Sequence, residues 1–310
     1  MGTLIEINNV CKKFGKRVAV NDVSFSVQNG EIFGLLGHNG AGKSTIIGMM
    51  LGQVWADSGE IKLFKSNIAS ERENALKKVG AIFETPAFYE YLSAWKNLEI
   101  LSYYSAPTPQ ERIKEVIDWV GLTGCEHLKV KTYSHGMRMR LALAQALLPD
   151  PDLLILDEPG EGLDPEGIAE MRHTILRLNN ELGLTIFLSS HFLNEVEQLC
   201  SRIAVLKNGK LIFDGKLSFI KERYIWYRLI VNDFQKAVDL LKTNGLIQEY
   251  RDSLILPSPN IKLPELLKFL IHNGFEVSEF CRNEETLESF YLSLMHKEEK
   301  TNINLTVQSN

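Results

Sequence analysis

The sequence predicts an α/β protein with a mostly parallel sheet, followed by a small α+β domain. Over the first 220 residues, buried-strand segments alternate with helical segments, and the opening segments alternate apolar with polar residues. From about Lys221 the order of elements changes to β-α-β-β-α-β. We therefore expect one domain at residues 1–220, a second at 221–296 and a disordered polar tail at 297–310.

The first domain is expected to open with an antiparallel β layer. Residues 4–10 and 23–27 have the period of half-buried strands, and Gln28-Asn29-Gly30 is a turn into the next strand. Apolar segments then predict buried strands at residues 31–36, 79–83, 153–156, 185–188 and 203–207. Helices are predicted at residues 44–51, 109–120, 138–148, 165–182 and 193–199. Such crossovers make the sheet mostly parallel, and ligands then bind beyond the carboxyl ends of its strands.

The second domain is expected to be ferredoxin-like. Its strands are predicted at residues 224–231, 247–251, 253–256 and 275–282, and its helices at 233–242 and 263–272. A last helix at 286–295 is an addition to the split β-α-β motif. No catalytic constellation is present here, which leaves two interpretations: a dimerisation or regulatory module, or a passive packing appendage.

The composition excludes several classes of protein. The 310 residues carry 34 Lys and Arg against 39 Asp and Glu, a formal net charge of −5, so no basic field favours nucleic acid and we expect no such partner. Four cysteines lie far apart without CxxC spacing, which argues against a zinc site or a disulfide framework. Apolar stretches are shorter than the roughly 20 residues that span a bilayer, and the N-terminus lacks a signal-peptide pattern. The sequence thus predicts a cytoplasmic protein that reaches a membrane only through a partner.

A phosphate-binding loop stands between a predicted strand and a predicted helix. Its residues match GxxxxGK[ST]: Gly37, His38, Asn39, Gly40, Ala41, Gly42, Lys43, Ser44 and Thr45. Backbone N–H groups of such a loop surround phosphate oxygens, Lys43 reaches the outer phosphates and the Ser44 hydroxyl can bind Mg²⁺. The pattern predicts a site for ATP and Mg²⁺; a glycine-rich turn with an unpaired lysine is the alternative.

Two carboxylates end a predicted strand. Asp157 and Glu158 follow the apolar residues 153–156. Beside the phosphate loop, Asp157 would hold the metal through water while Glu158 polarises the attacking water. The alternative is an acidic pair that faces solvent.

Further motifs make the pattern specific. Tyr133-Ser134-His135-Gly136-Met137 precedes an apolar helix, and Gly162-Leu163-Asp164 and Leu188-Ser189-Ser190-His191 follow. Over roughly residues 3–220, this order resembles the nucleotide-binding subunit of an ABC transporter. The resemblance implies a P-loop ABC ATPase domain with a mostly parallel sheet, an antiparallel β layer and a helical subdomain.

The resemblance implies roles for five residues. Ser134 and Gly136 would be the signature segment that grips the γ-phosphate of ATP bound on the opposite subunit. Asp164 would cross the dimer seam, and His191 would contact the γ-phosphate as a catalytic switch. Phe14 would stack on adenine. Simpler alternatives are that Ser134 caps a helix, His191 has no role and Phe14 belongs to the core.

Two positions depart from the family pattern. The signature usually consists of Leu-Ser-Gly-Gly-Gln, and here it is Tyr-Ser-His-Gly-Met. The position that normally carries the Q-loop glutamine holds Glu84, which suits a catalytic and metal-binding role because an ionised carboxylate only accepts hydrogen bonds. Glu84 resembles the E-loop of ATPases that export lantibiotic-type peptides and of bacitracin-resistance ATPases. The alternative is that Glu84 is a chance substitution, through evolutionary drift, within any drug-exporting ABC ATPase.

These features together predict a transport ATPase. We expect two chains, as a homodimer around two ATP molecules, to drive efflux of a peptide antibiotic, drug or lipid-like compound through separate membrane permease subunits. The chain would lie at the cytoplasmic face of the plasma membrane. The aromatic loop at residues 87–98 would contact the permease, or alternatively form a small satellite core. A soluble ABC ATPase of translation or DNA maintenance is the alternative, but the sequence has one phosphate loop and no sustained heptads.

Overall fold

A computed structural model describes residues 2–83, 86–105, 108–223, 226–259, 261–283 and 286–297. Glu84 and the predicted tail from residue 298 onward lie outside these described residues. The chain divides into two compact units, the first ending at Lys216 and the second beginning at Leu217. The predicted boundary after residue 220 falls inside a helix, Leu217–Arg223. Within the described ranges, no helix combines the length and the apolar character needed to cross a membrane.

The first unit contains two sheets and the helices around them. Its strands are β1 (Thr3–Phe14), β2 (Arg17–Gln28), β3 (Ile32–Leu36), β4 (Ser58–Leu63), β5 (Ser66–Asn67), β6 (Val79–Ile82), β7 (Leu153–Asp157), β8 (Thr185–Ser190), β9 (Arg202–Lys207) and β10 (Lys210–Lys216). Its helices are α1 (Lys43–Met50), α2 (Arg72–Leu76), α3 (Ala94–Ser105), α4 (Gln110–Trp119), α5 (His135–Leu147), α6 (Pro165–Leu182) and α7 (Leu193–Leu199).

The larger sheet has the order β10-β9-β3-β8-β7-β6. Strands β9, β3, β8, β7 and β6 run parallel, and β10 joins the edge as an antiparallel strand. The predicted mostly parallel sheet is therefore confirmed. Because β3, β7 and β8 are adjacent and parallel, the segments that follow them meet at one edge, where they build the candidate site.

The smaller sheet is the predicted antiparallel β layer, with the order β2-β1-β4-β5. Three stacked rings join it to the larger sheet: Phe25 of β2 lies 5.3 Å from Phe33 of β3 and 6.2 Å from Phe187 of β8, measured between ring centroids. All three rings are buried. Aromatic pairs of this kind contribute about 0.5–1.5 kcal/mol beyond the area they bury.

Helices α3, α4 and α5 pack against one another and form the helical part of the unit. Part of the segment predicted as an aromatic loop is helical, because Ala94 and Leu98 are fully buried on α3. The buried Asn97 of this helix accepts a hydrogen bond from Tyr89 N at 2.8 Å and donates to Tyr89 O at 3.1 Å. This amide holds the preceding loop, while Tyr91 remains 67% exposed.

The second unit has the expected ferredoxin-like topology. Its elements are α8 (Leu217–Arg223), β11 (Trp226–Val231), α9 (Phe234–Thr243), β12 (Ile247–Arg251), β13 (Leu254–Pro257), α10 (Leu263–His272), β14 (Val277–Asn283) and α11 (Leu287–Lys297). The sheet order is β12-β13-β11-β14, with every neighbouring pair antiparallel. Leu229, Leu241, Ile255 and Leu270 are fully buried between this sheet and its helices.

Candidate nucleotide-binding and hydrolysis site

The phosphate loop connects β3 to α1 and depends on glycine at two positions. Gly42, the N-cap of α1, has φ 113°, and a Cβ there would lie 2.5 Å from Ala19 O. A Cβ at Gly37 would lie 2.8 Å from Leu206 O. Side chains are thus excluded both by space and, at Gly42, by backbone conformation. The first turn of α1 consequently points its free N–H groups into the space beyond the loop.

Lys43 is a buried cation at the start of α1, with 5% of its side chain exposed. Its Nζ donates to Gly37 O at 2.7 Å and lies 3.0 Å from Glu158 Oε1. A buried ammonium needs such partners, because desolvation disfavours an isolated charge. The loop and the carboxylate after β7 are therefore joined through this one side chain.

Glu158 lies between two groups on neighbouring elements. Its Oε1 faces Lys43, and its Oε2 lies 2.8 Å from His191 Nδ1 and accepts a hydrogen bond from His191 N at 3.1 Å. Glu158 also has φ 49°, a left-handed conformation that is unfavourable for a residue with a side chain. These contacts fix the carboxylate at the edge of the sheet despite the strained backbone.

Ser189 of β8 supports both carboxylates and was not among the predicted site residues. Its fully buried hydroxyl donates to Asp157 Oδ1 at 2.5 Å and accepts from Glu158 N at 3.0 Å. Asp157 and Ser189 are register partners in the parallel pair β7–β8. The sequence places the two residues 32 positions apart, and only this strand pairing reveals the contact.

A cavity of about 730 Å³, here called the phosphate-loop cavity, opens over these groups. Predicted site residues that line it are Phe14, Asn39, Gly40, Gly42, Lys43, Ser44, Thr45, Asp157 and Glu158. Residues that were not predicted to line it are Arg17, Ala19, Pro86, His135, Met139, Glu161 and Gly162. Its size lies within the usual range for small-molecule sites, about 300–1,000 Å³. Phe14 is 50% exposed rather than in the core, and Lys12 Nζ lies 5.4 Å from its ring centroid.

The other predicted loop residues lie around this cavity. Gly37 and Ala41 are buried beneath the loop, whereas His38 is exposed and its Nδ1 contacts Asn39 O at 2.9 Å. His191 is one-third exposed and reaches the site through Glu158.

The signature residues form a second cavity of about 400 Å³, here called the signature cavity. Ser134 caps α5 by accepting a hydrogen bond from Met137 N at 3.2 Å, and Asp164 caps α6 by accepting one from Gly167 N at 2.9 Å. Gly136 lies between them, so the N-termini of two helices meet at this surface. Ser134, Gly136 and Asp164 line this cavity, and Lys43 lines the phosphate-loop cavity.

Known proteins share the sequence and the fold. The ABC transporter family model matches residues 20–161, a range that contains both the phosphate loop and Glu158. The chain is 48% identical to the ABC transporter ATP-binding protein YhcH of Bacillus subtilis (strain 168), over 95% of this chain and 96% of that protein. It is 37% identical to the bacitracin transport ATP-binding protein BcrA of Bacillus licheniformis, over 95% of this chain and 98% of that protein.

The chain belongs to the ABC transporter ATP-binding proteins. This confirms the family resemblance and makes the chain an ATP-binding ATPase subunit. A dimeric post-hydrolysis structure of the ATP-binding cassette MJ0796, bound to ADP and Pi, has the same fold with a TM-score of 0.62 at 24% identity. That similarity covers 69% of this chain and 99% of MJ0796.

The donors in this ABC subunit fit Mg²⁺. The Ser44 side chain and the Asp157 carboxylate line the same cavity, and both offer the hard oxygen ligands that Mg²⁺ prefers. Among the described residues, no group of three or more His, Cys, Asp or Glu could hold a metal by itself. Nucleotide phosphates and water would be among the remaining ligands, which is usual for Mg²⁺.

Two further charged residues approach the site. Arg17, on the β1–β2 hairpin, donates from Nη2 to Gly40 O at 3.1 Å and lines the cavity beside the phosphate loop. Glu195 of α7 lies against the chain after Glu158, since a Cβ on Gly160 would be 2.6 Å from its Oε2. Burial raises the pKa of Glu195, Arg172 lowers it and the nearby Glu158 raises it further. Neither Arg17 nor Glu195 belongs to a sequence motif that would have predicted its place near the site.

Proposed function

We propose that this ABC subunit works as a pair of identical chains that hydrolyse two sandwiched ATP molecules to drive export through separate membrane subunits. The observation that carries the proposal is the Glu158 carboxylate, held between Lys43 and His191 at the edge of the phosphate-loop cavity. Lys43 supplies positive charge where the outer phosphates would lie, and Glu158 lies beside it to orient water and accept its proton.

The proposed roles follow from the positions of the side chains. Phe14 would stack on adenine, and the backbone N–H groups of the loop would bind phosphate oxygens. Ser44 and Asp157 would hold Mg²⁺, which neutralises phosphate charge when it is bound. His191 would hold Glu158 in place through its present contact and contact the γ-phosphate. Glu84 remains a catalytic and metal-binding proposal from its sequence position alone.

Pairing of two chains explains the two cavities. Lys43 lines the phosphate-loop cavity and Ser134 the signature cavity of one chain, and we infer that each phosphate loop receives its signature from another chain. A two-fold pair supplies it, with Ser134, Gly136 and Asp164 of one chain facing the phosphate loop of the other. The cassette MJ0796, whose fold is similar, has been described as a dimer bound to ADP and Pi, which supports this arrangement.

Export is supported by the named relatives. Bacitracin transport ATP-binding proteins of Bacillus licheniformis and Enterococcus faecalis are 37% and 34% identical over 95% of this chain. The cargo would be a peptide antibiotic, a drug or a lipid-like compound that membrane permease subunits recognise at the plasma membrane. The exposed Tyr91, beyond the cavity-lining Pro86, belongs to the surface that we assign to a permease.

Glu158→Gln tests the proposal, because the amide keeps the shape of the side chain and removes its basicity. Turnover should fall by about 10² to 10⁴-fold while ATP still binds, and an ATP-dependent dimer should accumulate on size exclusion. Glu181→Gln makes the same chemical change on the exposed surface of α6, beside Arg177, and should hydrolyse ATP normally. Normal turnover in Glu158→Gln would refute the assignment of the base.

The transport part needs a separate measurement. A tagged Glu158→Gln chain should co-purify from membranes with hydrophobic permease subunits, and cells that carry it should lose resistance to a bacitracin-type peptide. If the unsubstituted chain hydrolyses ATP and neither it nor the Glu158→Gln chain co-purifies with membrane proteins, the proposal of export fails and the soluble ABC ATPase becomes the better interpretation.

A further inference from the structure

His135 occupies an unusual place between the two cavities. It is the first residue of α5, at the position where the common signature has glycine, and it lines both cavities. The Nε2 atom of His135 lies 3.1 Å from Glu161 O. A Cβ on Gly162 would lie only 3.2 Å from this Nε2. A carbonyl oxygen can only accept, so Nε2 carries the hydrogen in this contact.

Glu161 belongs to the turn that carries the hydrolytic carboxylate. We call residues 158–162 the catalytic turn. Glu161 N donates to Glu158 O at 3.0 Å, which closes the turn, and Gly162 leaves it with φ 74°. A continuous series of contacts therefore runs from His135 through the catalytic turn to Glu158, and from Glu158 to Lys43 and His191.

We propose that His135 is a positioning residue that ties the signature helix α5 to the catalytic turn of the same chain. The inference rests on the proposed function, in which this signature contacts the ATP of one site while Glu158 of the same chain serves the other. Engagement of the signature by one ATP then sets the position of Glu158 at the second. A signature with glycine at this position has no side chain to make the contact.

The geometry favours this role over a direct contact with ATP. The hydrogen-bonding Nε2 is directed at Glu161 O within its own chain, and the imidazole covers Gly162, which has no side chain to displace it. Ser134, by comparison, accepts from Met137 N at its helix cap and lines only the signature cavity of the two. The two neighbouring residues thus have different partners.

Two substitutions separate the hydrogen bond from packing. His135→Met keeps a long side chain over Gly162 but has no donor, whereas His135→Gln can still donate to Glu161 O. Both residues are good helix formers. We expect His135→Met to lower kcat about fivefold with KM nearly unchanged, as expected for one lost hydrogen bond, and His135→Gln to recover most of the loss. Equal kcat values in the two variants would overturn the proposal.

Mixed dimers test whether His135 acts within its own chain. Two differently tagged chains are co-expressed, one of them carrying Glu158→Gln, so that only the Glu158 of the other chain hydrolyses ATP. His135→Met should lower turnover when it is placed on the chain with the intact Glu158, and leave it unchanged on the Glu158→Gln chain. A loss confined to the second arrangement, or equal in both, would overturn the proposal and indicate direct contact with ATP.

Failure of the proposed function would give a different experimental result. If the chain with only Glu158→Gln forms no ATP-dependent dimer on size exclusion, the sandwich model fails and this inference falls with it. Suppose instead that the ATP-dependent dimer forms normally, but His135→Met changes turnover equally on either chain of the mixed dimer. That result overturns the inference about His135 and leaves the proposed function in place.

Discussion

In the first unit, buried polar side chains support the hydrolysis site, whereas the second unit buries an apolar core. Among the residues that the structure describes, the buried Lys, Asn, Ser and Thr side chains all lie in the first unit, including Lys43 and Ser189. In the second unit, Leu229, Ile255 and Leu270 are fully buried, and charged pairs such as Lys236–Asp233 are on the surface. The contrast teaches that the buried charge of Lys43 lies at the candidate phosphate site, and that the second unit depends on apolar packing.

The largest expected effect comes from removing the buried cation. Lys43→Ala takes away the positive partner of Glu158 and, in the function we propose, of the outer phosphates, so turnover should fall by at least about 10² to 10³-fold. Lys236→Ala removes an exposed lysine of the second unit and should leave turnover unchanged, because surface pairs contribute little. Steady-state ATPase assays of the two variants measure this difference between the units. Similar losses of turnover in both variants would contradict it.

The second expected effect is on stability and concerns the second unit. Leu270→Ala removes a fully buried side chain and should destabilise that unit by about 2–5 kcal/mol. In calorimetry, the transition that ATP does not shift should move to lower temperature, while the ATP-stabilised transition stays in place. Leu292→Ala changes a leucine of α11 that is 48% exposed and serves as the control. A matching loss of ATP stabilisation in Leu270→Ala would show that the two units do not unfold separately.

The smallest expected effect is the pH response of Glu195. Burial raises the pKa of this carboxyl in the folded protein above its ordinary value of 4.5, so the folded state holds the proton more tightly than the unfolded one. Its contribution to the free energy of unfolding therefore decreases as pH rises from 4.5 through the folded pKa. Glu195→Gln should raise the melting temperature of the first unit at pH 7, and this gain should shrink as pH approaches 4.5.

Glu181→Gln is the matched control, on the exposed surface of α6. It should give no gain at either pH. A melting temperature of Glu195→Gln that falls at pH 7 would mean that the charged carboxylate stabilises the site through Arg172, in opposition to the effect of burial.

Local motifs explain what the sequence could predict. The phosphate loop, the carboxylate pair after β7 and the alternation of strands with helices each depend on neighbouring residues, and the predicted helices at 165–182, 193–199 and 263–272 match the structure to the residue. Strands β4 and β10 were among those not predicted. β4 begins with Ser58-Gly59, and β10 follows the Asn208-Gly209 turn, a pair that does mark hairpins.

Contacts between distant segments explain the remainder. The support that Ser189 gives to Asp157 follows from the pairing of β7 with β8, and the contact of His135 with Glu161 joins the start of α5 to the catalytic turn. Helix α3 was overlooked because its aromatic residues suggested a loop, although Ala94 and Leu98 pack in the interior. Each of these features depends on tertiary structure, which residue periodicity does not encode.

The stacked rings of Phe25, Phe33 and Phe187 have a consequence for how a nucleotide enters. They pack the hairpin that carries Phe14 and Arg17 against the strand that leads into the phosphate loop. The hairpin wall, which would hold the base, is thereby connected to the loop wall, which would hold the phosphates. Those two walls cannot separate unless the stacking of the three rings is lost. The remaining wall, formed by His135 and Met139 of α5, is joined to the sheet by different contacts: α5 packs against β6, and His135 hydrogen-bonds Glu161 O.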